Sequence, residues 1–91
     1  MKIMKIKDNQ YVYNDHDKIV FQSYDSIICI LNNHTEGAYK ITLGRDWDYS
    51  KTTMKYLYIF LRKYAGMQNV NKKALEIAIR NKDIIFDENL A

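Results

Sequence analysis

Asp46-Trp47-Asp48-Tyr49-Ser50-Lys51-Thr52-Thr53-Met54-Lys55-Tyr56-Leu57-Tyr58-Ile59-Phe60-Leu61-Arg62-Lys63-Tyr64-Ala65 is the stretch whose reading decides the fold. Ser50 is a strong N-cap, because its hydroxyl can accept a hydrogen bond from a free N–H of the first turn. Asp46 and Asp48 precede it, where negative charge suits the positive end of a helix. Gly66 follows the last periodic residue and can take the left-handed conformation that ends many helices. Arg62 and Lys63 occupy the last turn, where cations suit the dipole. Spaced at about 100° per residue, Met54, Tyr56, Leu57, Tyr58, Phe60, Leu61, Tyr64 and Ala65 fill one arc. Lys51, Thr52, Lys55, Arg62 and Lys63 fill the other, with Ile59 the one apolar residue on that side. So wide an apolar arc predicts a helix packed against a sheet on one side and a second element on another. Tyrosine hydroxyls need partners, so some of Tyr56, Tyr58 and Tyr64 should reach the surface.

Upstream, the pattern is that of strands. Residues 2–7 alternate weakly and suit an edge strand, with Lys2, Lys5 and Lys7 discouraging edge-to-edge pairing. Asp8-Asn9-Gln10 is a turn signal. The β-prone runs 11–13 and 18–24 flank the polar Asn14-Asp15-His16-Asp17, which predicts a hairpin over residues 11–24. Ser26 to Leu31 is almost continuously apolar, as in a strand covered on both faces or on one face by the helix. Tyr24-Asp25-Ser26 before it is either a tight turn or a bulge within one long strand. Residues 32–37 form a loop, and Tyr39-Lys40-Ile41-Thr42-Leu43 alternates strictly, with Lys40 and Thr42 facing water. Downstream of Gly66, a second helix over residues 71–82 gathers Ala74, Leu75, Ile77, Ala78 and Ile79 on one side. Lys72–Glu76 and Glu76–Arg80 are i,i+4 pairs on its other side. Residues 83–87 make a final strand or an extended segment pinned on the core. The chain is therefore α+β: an antiparallel β-meander of three to four strands followed by two α-helices, in a single domain over residues 1–91.

Composition narrows the function classes. Ninety-one residues leave room for one small core and little for an enclosed active site. The net charge of +3 is too mild for a strong nucleic-acid patch and of the wrong sign for a DNA mimic. The lone cysteine, Cys29, lies between Ile28 and Ile30, which suits a buried thiol and a reducing, cytoplasmic setting. No run reaches transmembrane length, so no membrane partner is expected.

The chemistry-bearing residues do not assemble into a known motif. Asp15-His16-Asp17 and His34-x-Glu36 lack an accepted metal-ligand spacing, so no metal or cofactor is expected. Ser50, His34 and Asp46 supply the residue types of a triad without its local motif. The three glycines stand apart and form no phosphate cradle. The expectation is a protein that is not an enzyme. Its candidate binding residues are Arg45, Trp47 and Tyr49 before the helix, where aromatic and arginine anchors suit a protein interface. Lys51, Lys55, Arg62 and Lys63 on the polar helix face join them as contacts for an acidic partner or for phosphates. Trp47 has a competing role as a cap on the core, and an exposed aromatic patch would also suit a homodimer.

Two segments carry a family resemblance: Phe21-Gln22-Ser23-Tyr24-Asp25-Ser26-Ile27-Ile28, and Trp47-Asp48-Tyr49-Ser50-Lys51-Thr52-Thr53 followed by Tyr56-Leu57-x-x-Phe60-Leu61. They resemble a family of short proteins encoded by phages and mobile elements of AT-rich Gram-positive bacteria, in which Lys51 is usually Arg. The resemblance covers residues 21–61 and brings no activity that transfers residue by residue. It implies a phage-type, non-enzymatic inhibitor of a host defence complex, of the anti-CRISPR kind, whose partner is a host protein or ribonucleoprotein. A nucleic-acid-binding regulator using the basic helix face is the alternative.

Overall fold

A computed structural model describes residues 2–15, 17–33 and 39–90. In chain order the elements are β1 (Lys2–Lys7), β2 (Gln10–Asp15), β3 (Lys18–Ser23), β4 (Ser26–Asn33), β5 (Tyr39–Gly44), α1 (Lys51–Tyr64), α2 (Lys72–Arg80) and β6 (Ile85–Asp87). They form one six-stranded sheet in the order β1-β2-β3-β4-β5-β6. The meander is antiparallel from β1 to β5, whereas β6 runs parallel to β5, pairing Thr42 with Ile85 and Leu43 with Phe86. The α+β class holds, but the expected three to four strands become five plus one. Residues 2–7 do pair with β2, and the chain returns after both helices to the free edge of β5, which a parallel neighbour requires.

Alternation along the strands sends Val12, Ile19, Phe21, Cys29, Leu31 and Leu43 to one face. That face meets Leu57, Phe60 and Leu61 of α1 and Leu75 of α2, and the burial of Ile84 anchors the run into β6. Cys29 is fully buried, and burial pushes its thiol well above the ordinary range, which leaves it inert. Ring stacking fixes the helix: Phe60 lies over Phe21 with centroids 5.5 Å apart and tilts against Tyr64 at 5.2 Å.

The 24–26 ambiguity resolves as the turn, and a separate bulge follows it in β4. Tyr24-Asp25 is a two-residue turn between Ser23 and Ser26, and the β3–β4 register also shifts so that Ile28 is an extra, buried residue. Tyr24 has φ 55°, a conformation in which glycine is the usual resident. Its N–H donates to Asn9 O at 2.7 Å, and Asn9 is itself left-handed at φ 65°.

Ser50 caps α1 as its sequence suggests, and Asn71 caps α2. Thr53 N donates to Ser50 Oγ at 3.1 Å, and Ala74 N to Asn71 Oδ1 at 2.8 Å. Gly66 takes φ 68° after α1. The end of α2 closes with Lys82 N on Ile79 O and Asp83 N on Ala78 O, the paired bonds of a Schellman motif, with Lys82 in the left-handed position at φ 65°. The Lys72–Glu76 and Glu76–Arg80 pairs are not closed; the ion pairs among the described residues are Lys5–Asp8 at 3.0 Å and Arg45–Asp46 at 4.0 Å.

Two substitutions test this framework. A Cβ on Gly44 would lie 2.6 Å from the Ile27 carbonyl oxygen and 3.1 Å from that of Leu90. Both are backbone atoms, so Gly44→Ala should destabilise by about 1–3 kcal/mol in urea titration. Lys82→Gly relieves the left-handed cost but frees the unfolded chain, for a net gain of about 0.5–1 kcal/mol by the same measurement.

Candidate functional site

The N-terminus of α1 sits at the β3–β4 turn, where the two segments of the sequence resemblance meet. Ser23 and Thr53 hydroxyls lie 3.0 Å apart, and Ser50 Oγ donates to Thr53 Oγ1 at 3.1 Å while accepting from Thr53 N. Beside this chain Ser26 Oγ donates to Asp46 Oδ2 at 2.9 Å. A cleft of about 620 Å³ opens here, walled by the 23–26 turn, Asp46, Tyr49 and the first turn of α1. Its chemistry is that of hydrogen bonding: serine and threonine hydroxyls, the carboxylates of Asp25 and Asp46, and the ring of Tyr49. Ser50 serves as the N-cap and Asp46 holds Ser26, so each already has a structural partner.

The expected binding residues separate into three settings. Lys51, Lys55, Arg62 and Lys63 are all exposed on α1, opposite the buried Leu57, Phe60 and Leu61. At 1.5 Å per residue, Lys51, Lys55 and Arg62 form a stripe about 16 Å long, and the helix carries no carboxylate to neutralise it. Lys55 and Lys63 rest over the rings of Tyr56 and Tyr64, at 5.5 and 5.4 Å from their centroids. Arg45 and Tyr49 stay on the surface, Tyr49 at 77% exposure. Trp47 does not. At 5% exposure it belongs to the core cluster, and its expected role as a surface anchor is corrected to that of a core cap. The backbone bond from Trp47 N to Gly44 O turns the chain tightly after β5, and burying so large a side chain stabilises a small core.

Tyr58 flanks the stripe. Partial burial raises its pKa, and the nearby charges of Asp48 and Glu76 add to the shift. Among the described residues no cluster of His, Cys, Asp and Glu could hold a metal. His16 and the His34-x-Glu36 turn lie outside the described residues. No helix is long and apolar enough to cross a membrane.

Residues 2–77 match DUF8033, a family of unknown function. The chain belongs to this family. Comparison with curated proteins and with solved structures finds no match. The DUF8033 match takes in β1 to β5, α1 and most of α2, and so contains both the cleft and the cationic stripe. It is broader than the resemblance over residues 21–61 and carries no link to phages or to host defence.

The sequence reading missed three polar residues under α1 of this DUF8033 domain. Gln10, Ser23 and Thr53 are at most 2% exposed, and Gln10 faces Ser23 across the β2–β3 ladder. Gln10 had the appearance of a turn residue, and Thr53, at the helical angle between Phe60 and Tyr64, was assigned to neither arc. Ser23 and Thr53 satisfy one another, but both ends of the Gln10 carboxamide lack a protein partner. An unpaired buried amide costs about 1–3 kcal/mol. Gln10→Met keeps the shape and removes the polar atoms, and should raise the denaturation midpoint by an amount equal to about 1 kcal/mol.

Proposed function

We propose that this domain works by binding, not by catalysis, and that its contact surface is the cationic face of α1 with Arg45 and Tyr49 beside it. The observation that carries the reading is the α1 surface: four exposed cations, no carboxylate on the helix, and a reverse side locked into the core. A rigid row of cations, with Asp48 and Glu76 at its Tyr58 flank, orients an acidic partner at little entropic cost. Tyr49 supplies the aromatic anchor that such interfaces concentrate their energy on.

The partner class comes from the sequence resemblance. It is a host protein or ribonucleoprotein of a bacterial defence system, a CRISPR effector among them, with the protein acting in the host cytoplasm as a phage-type inhibitor. That step is an analogy of family type and not of site geometry. The second reading, a nucleic-acid-binding regulator, draws on the same four cations, which phosphates would also satisfy.

Pull-down of tagged protein from bacterial host lysate, with and without nuclease, separates the two. A defined protein or ribonucleoprotein retained after nuclease supports the inhibitor. Recovery of nucleic acid alone, lost on digestion, overturns it. On the captured partner, Tyr49→Ala should weaken binding about thirtyfold while leaving the salt dependence unchanged. If the four cations instead hold phosphates, log K should fall against log salt with a slope near about −3.6, and each lysine removed should reduce that slope by about one.

A further inference from the structure

The sheet face opposite the helices holds a second concavity. No described element covers this face. The ladder register places Lys5, Tyr11, Tyr13, Val20, Gln22, Ile30 and Thr42 on it. A groove of about 450 Å³ lies at its turn end, lined by Asn9, Tyr11, Tyr13, Gln22, Tyr24 and Asp25. Three of the six are tyrosines, and the only charged one is a carboxylate.

The groove is held in shape from within. Tyr13 donates its hydroxyl to Gln22 Oε1, and Gln22 Nε2 donates to the Tyr24 carbonyl at 2.8 Å. Tyr24 is thereby fixed from both sides, since its N–H is already on Asn9. It remains 50% exposed and left-handed, in a conformation where glycine would be cheaper. Among the described residues the stacked or tilted aromatic pairs are Phe21–Phe60 and Phe60–Tyr64, and the cations over rings are Lys55 and Lys63. The groove tyrosines are in neither set. Lys5, the cross-strand neighbour of Tyr11, is engaged by Asp8 instead.

We propose that this groove binds a cationic side chain, an arginine presented by a partner protein. Aromatic rings attract a cation through their electron-rich faces, and a planar guanidinium can stack on a ring while donating to carboxylate and amide oxygens. Asp25 supplies the carboxylate, and Asn9 and the remaining acceptor capacity of Gln22 supply amide oxygens. Tyr11 and Tyr13, two residues apart on one strand face, have backbones about 7 Å from each other and both line the groove. A nucleic acid would also stack on tyrosines, but it would set its phosphates beside Asp25 with no cation lining the groove. The site is on the far side of the sheet from α1 and stands independently of the function proposed above.

The test is NMR titration of the full chain with the capped peptide Gly-Arg-Gly, with the same peptide carrying uncharged citrulline, and with an oligouridine strand. Shifts at Tyr11, Tyr13, Gln22 and Tyr24 with the arginine peptide only are expected. Equal shifts with citrulline, no shift with arginine, or shifts only with oligouridine would overturn the assignment. Tyr24→Gly should raise the thermal unfolding midpoint yet weaken arginine-peptide binding about tenfold, whereas Tyr24→Phe should bind as the parent does. Unchanged affinity in Tyr24→Gly would equally sink the proposal.

Discussion

The contact of Phe60 with Phe21 is the interaction on which the rest of the structure depends. Phe21 lies on β3 near the middle of the sheet, and Phe60 is fully buried near the middle of the central helix. Burying a side chain of this size contributes about 1.5–3 kcal/mol, a large share of the margin of a domain this small. The stack also fixes direction. With Thr53 on Ser23 at one end and Tyr64 against Phe60 towards the other, α1 is held along β3 at more than one point. Rotation about the helix axis is then prohibited, so the cations at 51, 55, 62 and 63 have no choice but solvent.

One-sided packing follows from the same arrangement. Among the described residues, two helices and a six-stranded sheet make two layers, with the helices on one face of the sheet. The uncovered face compensates with cross-strand pairs. Val20 is buried on it although no described element overlies it, because its ladder partners are Tyr13 and Ile30. The edges are managed by different means. β1 carries lysines, and β6 is three residues long, too short to template another strand although Ile85 and Phe86 are partly exposed.

Legibility in the sequence followed the reach of local rules. The α1 arcs translated almost residue for residue into buried and exposed sides, since a 3.6-residue period and a hydroxyl cap are properties of the segment alone. The β2–β3 hairpin and β5 were equally local. What escaped depended on partners distant in sequence. Nothing in residues 84–87 announces their neighbour, because β6 pairs with β5 across the whole length of both helices. Trp47 shows the limit for the site. Aromatic, next to Asp48 and Tyr49, it suits an interface and a core equally, and the tight turn after Gly44 decides for the core. Gln10 escaped because a turn signal masked its burial, and Thr53 because its polarity outweighed a helical angle that places it between Phe60 and Tyr64.

Of the four left-handed non-glycine residues among those described, Lys82 and Asn69 stand after and before α2, whereas Asn9 and Tyr24 fall together. Asn9 and Tyr24 adopt left-handed backbone and hydrogen-bond to one another, and Gln10, the buried carboxamide without a partner, is the residue after Asn9 and the ladder partner of Ser23. All lie at the end of the sheet where the β1–β2 and β3–β4 turns meet. Tyr24 and Asp25 also line both concavities, the hydroxyl-rich cleft at the helix N-terminus and the tyrosine groove on the bare face. Chains tend to keep such unfavourable choices where something other than stability is selected. Here the rigidity of the Phe21–Phe60 core is what allows a two-residue turn with a left-handed tyrosine to persist. The same turn divides the two surfaces and contributes Tyr24 and Asp25 to each.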